Sequence, residues 1–97
     1  MRLRLTPQAE IDLAGIAEYV QVHSPSGASH VRDDILKVLA TLTSFPNSGR
    51  IQTIAGIRKA VTARYRYLVF YTVDEDAEEV AILTIQHPAK KRQFANA

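Results

Sequence analysis

In the first half of the chain, apolar residues recur with the spacing of amphipathic helices. After a short alternating stretch at residues 2–5, Thr6 and Pro7 suit the N-cap and the first turn of a helix. One face of that helix carries Leu13, Ile16, Ala17 and Val20. It is predicted to end before the "HSPSG" segment.

A second helix is predicted to begin at residues 26–29 and to end near Ser44, before Pro46. Its apolar residues are spaced four and three apart: Val31, Ile35, Val38, Leu42 and Phe45. Because the connection between the two helices is short, we expect an antiparallel helical hairpin with both apolar stripes on the same side.

The second half of the chain is typical of β-strands. Three apolar stretches, at 57–61, 64–73 and 79–85, follow residues 46–56, which are predicted to be a loop. The acidic loop at 74–78 predicts an antiparallel hairpin between the last two strands. With the edge strand, the order is βααβββ. We therefore predict one α+β domain over the whole chain, with a helical hairpin packed on one face of a small antiparallel sheet.

The strand at 64–73 is apolar on both faces, because side chains along a strand alternate between the two sides of the sheet. Two helices cover only one face, so we expect the other face to bind a partner. A cover formed by loop 46–56 and the C-terminal tail is the alternative. The face expected to bind a partner carries Leu68, Phe70, Leu83 and Ile85.

Composition excludes several kinds of site. The 97 residues include no cysteine, so a disulfide, a zinc-thiolate centre and a thiol nucleophile are excluded. His23 and His30 have no ligand partner at metal-binding spacing, and there is no glycine-rich phosphate loop, so we expect neither metal nor cofactor. No apolar stretch approaches the roughly 20 residues that span a membrane, and the N-terminus lacks a signal-peptide core, so we expect a cytoplasmic protein.

Positive charge is concentrated in the second half of the chain. Residues 1–48 carry four basic and five acidic side chains, whereas residues 49–97 carry eight and five. The basic residues there, with tyrosines between them, suit contact with phosphates and stacking on bases; an ordinary charged sheet edge is the alternative. The candidates are Arg58, Lys59, Arg64, Arg66, Lys90, Lys91 and Arg92.

His87 is the one histidine that sequence position places near these cations. The predicted hairpin brings the end of the last strand close to Arg64 and Arg66. Nearby positive charge favours a neutral imidazole, which can act as a base, and guanidinium groups bind phosphate. This arrangement suits phosphodiester cleavage, while a surface or capping role for the histidine is the alternative.

Three segments carry a resemblance to a known family: "LTPQAEIDLAGIAEYV", "SFPNSGR" and "GIRKAVTARYRYLVFYTVDEDAEEVAILTIQHPAKKR". Together they resemble the ParE/RelE superfamily of toxins from bacterial type II toxin–antitoxin modules. The resemblance covers nearly the whole chain, and its most specific part is the order of basic strand, aromatic strand and terminal histidine. It implies a compact toxin that forms a hetero-oligomer with a small antitoxin encoded beside it.

The resemblance also implies two possible targets. RelE-like members cut mRNA on the ribosome, whereas ParE-like members inhibit DNA gyrase and are not known to need catalytic residues. RelE-like cleavage uses basic residues, which Arg58, Lys59, Arg66 and His87 match in type, and a C-terminal tyrosine or histidine. Here the C-terminal aromatic residue is Phe94, which has no ionisable group. Arg66 also lies about two residues before the usual catalytic arginine, so both departures favour the ParE-like branch.

The resemblance therefore implies a non-catalytic inhibitor of DNA gyrase that a ParD-like antitoxin neutralises. A RelE-like, ribosome-dependent mRNA endoribonuclease is the alternative, and a plain nucleic-acid-binding module is a second one. Candidate target-binding residues are the cations Arg58, Lys59, Arg64, Arg66, Lys90, Lys91 and Arg92, with His87. The candidate antitoxin-binding residues are the four on the partner face.

Overall fold

The computed structural model describes residues 1–88. In chain order the elements are β1 (Arg2–Leu5), α1 (Pro7–His23), α2 (Ala28–Ser44), β2 (Arg50–Ile51), β3 (Arg58–Val61), β4 (Leu68–Asp74) and β5 (Glu79–Gln86). The strands form one sheet in the order β1-β5-β4-β3-β2, in which β1 runs parallel to β5 and the other neighbours are antiparallel. The predicted α+β fold is confirmed, with one more strand than expected.

Helix α1 begins where the sequence predicts. The Thr6 hydroxyl accepts a hydrogen bond from the Ala9 amide at 3.2 Å, and Pro7 occupies the first turn. The same hydroxyl donates to the Ile82 carbonyl at 2.8 Å, so the cap also ties the helix to β5. At its other end α1 extends to His23, slightly beyond the predicted end.

The main core lies between the helical hairpin and one face of the sheet. Its buried members include Val20 from α1, Ile35 and Leu42 from α2, and Val69 and Tyr71 from β4. Burying apolar side chains of this size stabilises the fold by roughly 1.5–3 kcal/mol each. This face is the one that the apolar stripes of the two helices were predicted to cover.

Tyr71 is fully buried, and its hydroxyl organises the segment after α2. The hydroxyl donates to the Pro46 carbonyl at 2.7 Å and accepts from the Gly49 amide at 2.8 Å. A Cβ at position 49 would lie 2.7 Å from the Tyr71 ring carbon Cε1, so only glycine fits there. This contact places β2 beside β3. The prediction of a plain loop at 46–56 is therefore wrong at residues 50–51.

The predicted strand at 64–73 is also shorter than expected. Residues 62–67 form a turn, and β4 begins at Leu68. The tyrosine and arginine alternation in this segment is typical of a strand, but a carboxylate from α2 accepts hydrogen bonds from two of its amides and turns the backbone. Tertiary hydrogen bonds thus override the local strand pattern.

The face of the sheet opposite the helices differs from the prediction in two ways. A register shift between Phe70 and Tyr71 places Ile85 opposite Val69, so Ile85 packs in the main core and its predicted place on the partner face is wrong. Leu68 and Phe70 form a second cluster with Ile57, packed against Val61 and Leu83. Leu68 is only 5% exposed and Phe70 0%, so the expectation of an uncovered apolar face is wrong there.

Candidate functional site

The arginine turn, residues 62–67, joins β3 to β4, and its first and last residues hydrogen-bond to each other. The Thr62 amide donates to the Tyr67 carbonyl at 3.0 Å, and the Tyr67 amide donates to the Thr62 hydroxyl at 2.9 Å. Thr62 and Tyr67 are both buried. The turn therefore has a rigid base set into the core, and its exposed residues project from that base.

A single carboxylate from α2 shapes the middle of the arginine turn. Asp34 is 7% exposed; its Oδ1 accepts from the Arg64 amide at 3.0 Å and its Oδ2 accepts from the Tyr65 amide at 2.8 Å. Burial raises the pKa of the Asp34 carboxyl. Hydrogen bonds from the Thr62 hydroxyl and the two turn amides, together with the charge of Arg64, outweigh burial, so the pKa lies below its ordinary value.

Sequence reasoning missed Asp34, although one signal was available. The residue lies three positions after Val31 and one before Ile35, both buried, so it occupies the apolar stripe of α2. A charged residue at such a position requires hydrogen-bond partners, because an unpaired buried charge is costly. Its partners are backbone amides about 30 residues further along the chain, at positions that the helix pattern does not indicate.

The two arginines of the turn have different surroundings. The Arg64 guanidinium lies over the Tyr65 ring, with its central carbon 5.1 Å from the ring centroid. Arg66 is exposed and has a backbone φ of 64°, in the left-handed region that residues other than glycine seldom adopt. The turn thus holds Arg66 in an uncommon backbone conformation on a rigid base.

Arg66 lines a shallow basic depression together with two cations from the neighbouring strands. This basic depression has a volume of about 520 Å³. Arg50 on β2 and Lys59 on β3 are directly opposite partners in the antiparallel pair. The lining residues are Val38, Ser48, Gly49, Arg50, Lys59, Ala60, Val61 and Arg66. None of them is acidic, and sequence reasoning did not single out Arg50.

Arg58, another predicted target-binding residue, is engaged within the fold. Its Nη1 donates to the Gly49 carbonyl at 2.8 Å and to the Asn47 carbonyl at 3.1 Å. These bonds hold the segment before β2 against β3. The guanidinium of Arg58 therefore has a structural role, whereas its contact with a target stays a prediction.

His87 is not brought into the basic depression. Its ring makes an edge contact with Tyr67, with centroids 5.6 Å apart, and it lines a cleft between α1 and the end of β5 with residues that include Ile11 and Tyr19. Arg64 lines a third depression, beside Asp34. His87, Arg64 and Arg66 thus line three different depressions, and the approach of His87 to the two arginines stays a prediction. Three further candidates, Lys90, Lys91 and Arg92, lie outside the described residues, as does Phe94.

The predicted antitoxin-binding residues fall into two groups. Leu68 and Phe70 are buried and Leu83 is partly buried in the second cluster, whereas Ile85 belongs to the main core. The larger exposed apolar side chains lie elsewhere, and those on α1 are Ile11, Tyr19 and Val22.

Neither metal ligands nor a membrane-spanning helix occur in the part of the chain that the structure describes. Over residues 1–88, no three histidine, cysteine, aspartate or glutamate side chains are grouped so as to hold a metal ion. Within the same range, neither helix combines the length and the apolar character needed to cross a membrane.

Comparison with known proteins places the chain in a family. Residues 3–92 match the family model described as "ParE toxin of type II toxin-antitoxin system, parDE". A solved structure titled "Chromosomal ParDE TA system from P. aeruginosa" is similar, with a TM-score of 0.76 and 26% identity over 90% of this chain and 95% of that chain. No curated protein sequence matched. Because the family model matches far more than half of the chain, this protein belongs to the ParE toxin family of type II toxin–antitoxin systems.

Proposed function

We propose that this type II toxin arrests growth by binding and inhibiting DNA gyrase without a catalytic step, and that a ParD-like antitoxin neutralises it. Membership of the ParE family supports the proposal over the RelE-like alternative. Inhibition by binding requires a rigid, exposed recognition surface. The arginine turn and the basic depression beside it are such a surface, because the turn is anchored by Asp34 and Thr62.

The observation that carries the proposal is that Arg58, Arg66 and His87, which suit phosphodiester cleavage, line three different depressions. Arg58 binds backbone carbonyls, while His87 and Arg66 line different depressions. General acid–base catalysis requires a proton-transfer group within hydrogen-bond reach of the reacting atoms. An exposed cation on a rigid turn instead suits recognition of an acidic surface or of DNA held by the enzyme.

A supercoiling assay tests the target. Purified toxin is expected to inhibit supercoiling by DNA gyrase, and induction of the toxin alone is expected to arrest growth. Site-specific cuts in mRNA early after induction, with gyrase activity unchanged by the toxin, would contradict the proposal and favour the endoribonuclease alternative.

The contribution of the arginine turn to toxicity is tested by charge reversal. An Arg64→Glu, Arg66→Glu double variant is expected to lose toxicity and to stay folded, because both side chains are exposed. A small loss of thermal stability is expected, because the charge of Arg64 favours the ionised Asp34 carboxylate. The matched control is an Arg2→Glu, Arg32→Glu double variant, which makes the same charge change at exposed positions outside the turn. Full toxicity in the turn variant would remove this surface from the proposal.

The antitoxin is proposed to act on the sheet around Leu68, Phe70 and Leu83. Because Leu68 and Phe70 are buried in the isolated chain, an antitoxin segment can contact them only after a local rearrangement. Any ligand that binds only the folded toxin raises its apparent stability by mass action. We therefore expect hydrogen exchange of residues 68–73 and 80–85 to slow when the antitoxin binds.

The same exchange measurement distinguishes two surfaces. Amides of β4 and β5 already pair with each other, so slower exchange there reports stabilisation of the sheet. Protection confined to α1 would instead move the antitoxin site to the exposed residues Ile11, Tyr19 and Val22. That result would contradict the proposed antitoxin face and leave the gyrase proposal intact.

A further inference from the structure

We propose that the basic depression formed by Arg50, Lys59 and Arg66 is a binding site for the phosphate groups of duplex DNA. This inference adds a nucleic-acid contact to the proposed gyrase inhibitor. It rests on the proposed function only for its consequence in the cell, because DNA binding is measured on the toxin without gyrase. The ligand class follows from charge, from backbone conformation and from a lining that, among residues 1–88, includes no acidic side chain.

Two cations face each other across β2 and β3. Arg50 and Lys59 are directly opposite each other in the antiparallel register. Like charges in this position destabilise a sheet, because their Cβ atoms lie close together on one face. An anion bound between them would lie within reach of both positive charges.

The arginine turn places Arg66 beside these two cations. Its φ of 64° is uncommon for a residue with a Cβ, and the hydrogen bonds of Asp34 and Thr62 hold the turn that imposes it. A residue keeps a strained backbone conformation only where the interactions of the surrounding structure outweigh the cost of the strain. The backbone of Arg66 is thus fixed before a ligand binds, at a position that lines the depression, so binding need not order the turn.

Arg50 and Arg66 differ from other arginines in the described part of the chain. Arg4 forms an ion pair with Glu79 at 2.8 Å, and Arg32 lies 3.9 Å from Asp33. Within residues 1–88, neither Arg50 nor Arg66 forms an ion pair with an acidic side chain, and none of the residues lining the depression is acidic. The two arginines therefore keep their positive charge without an acidic partner in this part of the chain.

Phosphate is the anion that this arrangement suits best. Guanidinium groups bind phosphate oxygens through two parallel hydrogen bonds, and lysine adds a point charge. The depression is shallow and is bordered by a turn and by an edge strand, so a polymer backbone can pass across it. A phosphodiester of DNA fits this open shape, and free nucleotide or inorganic phosphate shares its chemistry.

The test measures binding of a fluorescent duplex of about 20 base pairs to the full-length toxin between about 50 and about 200 mM salt. We expect the affinity to fall steeply with salt. An Arg50→Gln, Arg66→Gln double variant should bind about tenfold or more weakly, and its log–log salt slope should be smaller by about 2, one for each lost phosphate contact. Arg32→Gln is the matched control and should change affinity less than about twofold.

Competition identifies the source of the phosphate. Excess unlabelled duplex should displace the fluorescent duplex, whereas inorganic phosphate or ATP at equal phosphate concentration should displace it poorly. Efficient displacement by inorganic phosphate would overturn DNA as the ligand and reassign the depression to small phosphates. An Arg50→Lys, Arg66→Lys variant keeps the charge but loses the two-pronged geometry, so it should fall between wild type and the glutamine variant.

Two outcomes would overturn the site itself. One is absence of salt-dependent DNA binding by the wild-type toxin. The other is a folded glutamine double variant, with wild-type thermal unfolding, that binds DNA as tightly as Arg32→Gln. Measuring gyrase inhibition with the same proteins distinguishes the two proposals. If the wild-type toxin inhibits gyrase but does not bind DNA, only the phosphate site is overturned. If it binds DNA but does not inhibit gyrase, only the proposed target is overturned.

Discussion

The two turns that flank β4 each contain a non-glycine residue with a positive φ, but different interactions stabilise them. The arginine turn, residues 62–67, contains Arg66 at a φ of 64°, and the acidic turn, residues 74–79, contains Glu78 at a φ of 51°. Both residues carry a Cβ in the left-handed region, where an L-residue is disfavoured by about 1–2 kcal/mol. Each turn therefore requires compensating interactions.

The compensating interactions come from different parts of the molecule. In the acidic turn they are exposed: the Ala77 amide donates to Asp74 Oδ1 at 3.1 Å, and the Arg2 side chain from β1 donates to the Ala77 carbonyl at 3.1 Å. In the arginine turn they come from the buried Asp34 carboxylate and the buried Thr62 hydroxyl. A strained turn is therefore held rigidly where buried side chains support it, as in the arginine turn, and less firmly where its support is exposed, as in the acidic turn.

The largest expected effect is the loss of the Asp34 carboxylate. Asp34→Ala leaves two partly buried amides without their acceptor, so we expect a loss of about 1–3 kcal/mol in the free energy of unfolding. The matched variant in the acidic turn, Asp74→Ala, should cost less than about 1 kcal/mol, because its hydrogen bond is exposed. Urea unfolding of both variants measures the difference. Equal losses would show that the two turns are supported alike.

The pH dependence of stability sharpens the same comparison. The pKa of Asp34 is lower in the folded state than its ordinary value of 3.8, so its contribution to stability is present above that value. The contribution is lost as the pH falls through the lower, folded pKa. Between about pH 5 and about pH 2, wild type should therefore lose more stability than Asp34→Asn. Parallel acid unfolding curves for the two proteins would contradict the role given to this carboxylate.

Glycine substitutions separate backbone strain from side-chain function. Arg66→Gly and Glu78→Gly both relieve the left-handed strain, while added chain entropy in the unfolded state costs about 0.5–1 kcal/mol, so each should change stability by less than about 1 kcal/mol. Toxicity and DNA affinity should fall in Arg66→Gly and stay unchanged in Glu78→Gly. Wild-type toxicity and DNA affinity in Arg66→Gly would show that the guanidinium has no role in recognition.

The smallest expected effect concerns the ion pair beside the acidic turn. Arg4 and Glu79 lie 2.8 Å apart at the surface, with the arginine side chain 54% exposed. Exposed pairs of this kind contribute about 0–1 kcal/mol, so Glu79→Gln should lower the free energy of unfolding by no more than that and leave toxicity unchanged. A loss as large as that of Asp34→Ala would show that the acidic end is held more firmly than its exposed bonds indicate.

Several features of the fold were predictable from the sequence because they depend on neighbours along the chain. Thr6 and Pro7 fix the start of α1 through a bond to an amide three residues away, and the apolar spacing of 31–42 identifies the buried face of α2. The hairpin of β4 and β5 follows from two apolar stretches joined by a short acidic loop. Family membership was likewise readable, because the order of these elements and the basic strand are carried by the chain itself.

Tertiary structure alone decided the features that bear on the proposed site. Three such features depend on how separate elements lie against each other. They are the one-residue bulge that moves Ile85 into the main core, the pairing of Arg50 with Lys59, and the bonds from Asp34 to a turn 30 residues away. Periodicity along a chain reports which side of an element is apolar. It carries no information about which distant amide meets a given carboxylate or which strand carries the extra residue, because packing and hydrogen bonding between elements determine those contacts.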